Sequence, residues 1–135
     1  MVKVFNRENL LQVYPKFPVE LFEKLSQEEN INIIFVDEKF IQRLNKEYRE
    51  KNYATDVLSF SFEEDEILGE IYICPEYVYS NISKRKFVEE ILRLSVHGLL
   101  HLRGYNHTKD FDEIDYKEEP MYIKQEEILH NILNK

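Results

Sequence analysis

Apolar and polar positions recur with two periods along the chain, and each change of period marks an element. Val2 to Phe5 alternates weakly, as a short edge strand does. From Pro18 to Ser26 the pattern turns helical, with proline in the first turn and Leu21, Phe22 and Leu25 on one face. Ile31-Asn-Ile-Ile-Phe-Val36 is a β-branched run of strand length, expected to be covered on both faces. Asp37 is placed to cap a helix on which Phe40, Ile41, Leu44 and Tyr48 stand at helical spacing. After a turn at Asn52-Tyr53-Ala54, Thr55 to Phe62 alternates, with Leu58, Phe60 and Phe62 on one side and Val57, Ser59 and Ser61 on the other. Glu63 to Glu66 reads as a solvated hairpin turn, and Leu68 to Cys74 as the returning antiparallel strand.

Pro75 then opens a short helix to about Ser80. A longer one follows, capped at Ser83 or alternatively Asn81, with Phe87, Ile91, Leu94 and Gly98 on one face. Asp110 to Asp115 is an acidic loop, and Pro120 opens a last helix carrying Met121, Ile128, Leu129, Ile132 and Leu133. No repeat, low-complexity tract or long linker divides the chain. Strands mixed with helices and at least one antiparallel pair predict an α+β fold: a single compact domain over residues 1–135, a small mixed β-sheet packed with several helices.

Composition narrows the class. Hydrophobic residues make up 43% of 135 positions, enough for a packed core. The single Cys74 excludes an intramolecular disulfide, and no apolar signal region follows Met1, so the expected setting is a reducing cytoplasm. No run of about 18 apolar residues is present to span a membrane. A net charge of −8 argues against a general nucleic-acid coat held by charge, though not against one local basic patch.

Three of the four histidines fall between Val96 and His107. Helical positions four apart differ by about 40° in azimuth and about 6 Å in height, so His97 and His101 can aim at one atom. His107, six residues further, would lie about 240° around a continuing helix. Gly104 removes the obstacle, because glycine ends helices at little cost and can turn the chain back. Three neutral imidazoles suit one Zn2+ ion at the end of this central helix and leave a fourth position for water or substrate, as catalytic sites do. The same donors accept nickel, cobalt or copper.

The histidine block, His97-Gly-x-Leu-His101-Leu-x-Gly104-Tyr105-x-His107, stands with three others. These are Leu44-Asn45-x-x-Tyr48-Arg49 leading to Thr55-Asp56-Val57-Leu58-Ser59-Phe60, then Leu68-Gly69-Glu70-Ile71-x-Ile73, then Met121-x3-Gln125-Glu126-x-Ile128-Leu129. In this order the chain resembles the bacterial YbeY-type metal-dependent endoribonucleases of ribosomal RNA maturation, from about Ile31 to the C-terminus. The resemblance implies zinc held by His97, His101 and His107, and an Arg49 that contacts RNA phosphate. It implies single-strand-specific cleavage in 16S rRNA maturation and ribosome quality control. Its partners would be ribosomal RNA and the small ribosomal subunit, with ribosomal proteins and an assembly GTPase as further ones. Two positions depart from the family: Asn106 replaces an Asp before the third histidine, and Glu70 replaces an Asp. Asn106 removes a negative charge near the metal but no ligand.

Zinc lowers the pKa of bound water to about 7 and polarises a phosphoryl oxygen, while the planar fork of an arginine meets two phosphate oxygens. By spacing alone Arg49 is a solvated helix-end residue; the resemblance gives it the phosphate role. Lys46, Lys51, Lys84, Arg85, Lys86, Arg93 and Arg103 are candidates for a basic approach. Two other readings compete. Metzincin peptidases share the ligand spacing but need Glu after the first histidine, where this chain has Gly98. A non-catalytic ribosome assembly factor would use its zinc for structure alone. Cys74 is expected to pack at a strand end, His130 to lie at the surface, and Asp56 either to orient Arg49 or to cap backbone. Asp110 and Asp112 are either a proton acceptor or solvent-facing loop.

Overall fold

In the computed structural model, which describes residues 1–62, 67–81, 86–105 and 120–134, one sheet organises the chain. Its strands are β1 (Val2–Phe5), β2 (Asn30–Phe35), β3 (Val57–Ser61) and β4 (Ile67–Ile73), in the order β1-β2-β4-β3. β1 and β4 both run parallel to β2, and β3 is antiparallel to β4. The sheet is therefore mixed, β1 is an edge strand as its weak alternation suggested, and β2 is central. The expected α+β class holds.

Period-two alternation gives the sheet two distinct faces. Ile33 pairs with Ile71 and Phe35 with Ile73, and all four are fully buried. Over this face lies α4 (Phe87–Leu102), flanked by α5 (Pro120–Leu133), α3 (Pro75–Asn81) and the N-terminal segment. Phe87 anchors that side among rings, stacking on Tyr14 at 5.4 Å and meeting Tyr79 edge-on at 5.6 Å. The opposite face carries Ile34, Leu58, Phe60 and Tyr72 and is covered by α2 (Glu38–Arg49). Asp37 caps α2 by accepting from the Phe40 N–H at 2.8 Å, as expected.

The structure corrects several expectations. The helix read from Pro18 to Ser26 is a 3-10 segment over Val19–Lys24, since so short a span accommodates tight i→i+3 bonds. A helix not seen in the pattern, α1 (Arg7–Leu11), buries Leu10; five residues are too few to display a period. Phe40 and Tyr48 are 39% and 60% exposed, not core. α2 rests on Ile41 and Asn45, leaving those two rings on its flanks against Tyr72 and Phe60. Phe62 is exposed because it lies past the end of β3. Leu133 is exposed too, rotated about 100° from the buried Ile132. Cys74 is fully buried and burial raises its thiol to about 11, so it packs at a strand end as expected. Glu63–Glu66, Ser83 and Asp110–Asp115 lie outside the described residues.

Two glycines set how closely α4 approaches the sheet. A Cβ on Gly98 would come within 2.9 Å of Ile71 Cγ2. A Cβ on Gly69 would lie 2.5 Å from Leu102 Cδ2 and press into the Phe60 carbonyl oxygen. Glycine is needed at both positions because the facing side chain, Ile71 or Leu102, already fills the space a Cβ would take. Gly69→Ala should lower the unfolding free energy by about 1–3 kcal/mol, as overpacking does. Urea titration of the two proteins measures the difference.

Candidate metal centre

The close approach of α4 puts its last two turns beside β3. Ser59 pairs with Ile71 and Ser61 with Gly69, so both serines share the face on which α4 lies. Small side chains there leave room, and a cleft of about 590 Å³ opens between strand and helix. Ser59, Ser61, Thr55 and Asp56 line one wall, and His97, His101 and Leu102 the other. Arg49, exposed at the end of α2, completes the rim.

His97 and His101 converge as four-residue spacing dictates. Their Nε2 atoms are 3.0 Å apart and their rings are inclined at 81°. Two tetrahedral zinc–imidazole bonds would set the nitrogens about 3.3 Å apart, so the pair fits one ion with a shift of a few tenths of an ångström. The helix ends just beyond. Gly104 has φ 95, its N–H donates to the His101 carbonyl, and the Tyr105 N–H donates to the Leu100 carbonyl. This pair of bonds is a Schellman turn, which ends α4 at the glycine the sequence singled out. His107, Asn106, Asp110 and Asp112 lie outside the described residues, and among the described residues no group of three ligating side chains forms.

His97 is held from behind. Its Nδ1 lies 2.8 Å from the Gln125 carbonyl oxygen, and Gln125 donates through Nε2 to Glu126 at 3.0 Å. Arg93 grips Glu126 with two bonds of 2.9 Å and donates to Glu90 at 2.8 Å. Burial pushes the Glu126 carboxyl up, but the hydrogen bonds from Arg93 and Gln125 outweigh it and leave the group below its ordinary value.

These contacts redraw the basic approach. Arg93 is spent on Glu126 and Glu90, and Arg103 on Glu29 across to the start of β2. Arg49 makes no ion pair among the described residues. Lys46 lines a separate groove with Lys39 and Arg43 on the exposed face of α2; Lys51 and Lys86 are exposed; Lys84 and Arg85 lie outside the described residues. Asp56 does not pair with Arg49: its carboxylate meets the Thr55 hydroxyl at 3.4 Å and its carbonyl accepts from the Cys74 N–H. His130 is exposed beside Asn134, as expected. Ser59, Ser61 and Gln125 are in the sequence patterns but carry no site role there. The serines passed for the solvent side of a half-buried strand; a glutamine on the apolar stripe of α5 was the signal for the third.

Comparison with known proteins places the chain among relatives. The family described as Endoribonuclease YbeY matches residues 4–133. The chain is similar to Endoribonuclease YbeY of Ureaplasma parvum serovar 3, at 40% identity over 96% of this chain and 86% of the relative. It is similar to that of Thermotoga petrophila at 35% identity, over 92% of this chain and 81% of the relative. A solution structure of a Thermotoga maritima protein superimposes with a TM-score of 0.61 at 29% identity, covering 99% of this chain and 90% of the other.

Two carboxylates make the fold sensitive to acid. Glu29, hydrogen-bonded by Arg103, and Glu126, gripped by Arg93, both titrate below the ordinary 4.5 in the folded state. A depressed folded value gives stability that is present above the unfolded value and lost as pH falls through the folded one. The melting temperature should therefore drop as pH is lowered below 4.5, and Glu126→Gln should make that drop shallower. Melting curves across this range decide it.

Proposed function

The chain belongs to the YbeY endoribonuclease family, and on that premise we propose that it is a zinc-dependent endoribonuclease that cleaves single-stranded RNA in the cleft between α4 and β3. One observation carries the reading: two imidazole nitrogens 3.0 Å apart face a cleft whose rim carries an arginine without a carboxylate partner among the described residues. His97, His101 and His107 would hold the ion, which supplies Lewis-acid polarisation of the phosphoryl group and acidification of water. Arg49 binds the scissile phosphate and stabilises the charge growing on its oxygens, a task for which its two-pronged fork is shaped. Thr55, Ser59 and Ser61 offer hydroxyls along the wall that a ribose–phosphate strand would follow.

The wider role that fits is 16S rRNA maturation and ribosome quality control in the cytoplasm, with the small ribosomal subunit, ribosomal proteins and an assembly GTPase as partners. No helix among the described residues is long and apolar enough to cross a membrane. The peptidase alternative lacks its base: Gly98 carries no carboxyl, and its missing side chain is what lets α4 meet Ile71. The assembly-factor alternative keeps the zinc but predicts no cleavage.

Purified protein should cut a single-stranded ribosomal RNA fragment and spare its duplex form. Cleavage should be lost in chelator and in a His97→Ala/His101→Ala variant prepared identically. Arg49→Ala should lower kcat/KM by about 10²–10³-fold, the loss seen when one transition-state donor is removed. Equal cleavage by wild type and the double variant would refute the assignment; cleavage by neither favours the assembly factor.

A further inference from the structure

We propose that Gln125 is a positioning residue that fixes the tautomer of His97, and that Arg93 and Glu126 hold its amide in the one orientation that does so. The inference deepens the metal-centre reading and rests on it for the ion, but the tautomer is a property of the metal-free chain.

The polar chain runs inward from the surface of α4 and α5. Glu126, ionised, can only accept hydrogen bonds. Arg93 supplies two from its fork, which locks the carboxylate in place. The remaining donor at Glu126 Oε2 is the Gln125 amide nitrogen at 3.0 Å. Turned over, that amide would set its carbonyl oxygen against a carboxylate, two acceptors with no proton between them. The carbonyl oxygen is thus committed to the other side, 2.8 Å from His97 Nδ1. A carbonyl cannot donate, so Nδ1 carries the hydrogen. A neutral imidazole has one N–H, so the His97 Nε2 lone pair is directed at His101 Nε2. Gln125 is 6% exposed, on the stripe shared with Met121 and Leu129, and a polar side chain is costly there unless its atoms are bonded. Both ends of its amide are.

The test uses the full chain with ¹⁵N-labelled histidine, first without metal. Wild type should show His97 in the Nδ1–H form. Gln125→Met, which keeps bulk but removes the acceptor, should shift His97 toward the Nε2–H form. The same change should weaken zinc binding, measured by competition with a chromophoric chelator, by about 10–100-fold. If Gln125→Met does not fold, as circular dichroism would reveal, Glu126→Gln serves instead: freeing the amide to turn should give mixed tautomers. An unchanged tautomer and zinc affinity in a folded Gln125→Met, or an Nε2–H form in wild type, overturns the proposal. An Nδ1–H His97 in a wild-type chain that binds no zinc would sustain it while removing the metal-centre reading.

Discussion

The structure depends on how closely α4 can lie on the sheet. At Gly98 the helix meets Ile71 directly, and at Leu102 it meets Gly69 of β4. A side chain at either glycine would lift or tilt the helix away from the strand. His97 and His101 project from the same two turns, each one residue before one of these contacts, so their distance from β3 follows from the packing. Ser59 and Ser61 then make a cleft of what would otherwise be filled space, because they stand opposite Ile71 and Gly69 without bulk of their own.

Around this frame the charges are arranged unevenly. The chain has a net charge of −8, yet its two central arginines, Arg93 and Arg103, are engaged with carboxylates. Arg93 braces α4 against α5, and Arg103 ties the end of α4 to Glu29. Both pairs are partly exposed, so they add modestly to stability and act mainly by fixing where helices sit. Among the described residues, α2 and its end carry cations bordering the cleft and a neighbouring groove: Arg49 borders the cleft and Lys39, Arg43 and Lys46 line the groove.

What could be read from the sequence was whatever repeats or is punctuated. The alternation of β3, the long helical stripe of α4, the Asp37 cap and the Gly104 turn all announced themselves, because each is local chemistry with a fixed spacing. Aromatic residues misled: Phe40 and Tyr48 keep helical spacing but serve as flanking covers for Tyr72 and Phe60. α1 was too short to have a period. At the site, the histidine pair was plain from its four-residue spacing, whereas Gln125 comes from an element 28 residues away and matters only because α5 docks on α4. The polar face of β3 carried a false message as well, since serines look the same whether they face water or a cleft.

The sheet's connectivity also orders assembly in time. β1 and β2, and β2 and β4, are parallel pairs whose partners are separated by long stretches of chain, so each needs a large loop to close first. β3 and β4 form a hairpin, and α4 follows after one short helix. The two walls of the cleft thus lie in one stretch of chain, Thr55 to Leu102, built largely from neighbouring contacts. The N-terminal strand joins it from one side and the C-terminal helix from the other. A nascent chain would hold both imidazoles before it holds Gln125, and the donor geometry at His97 would be completed only when the last helix emerges and docks.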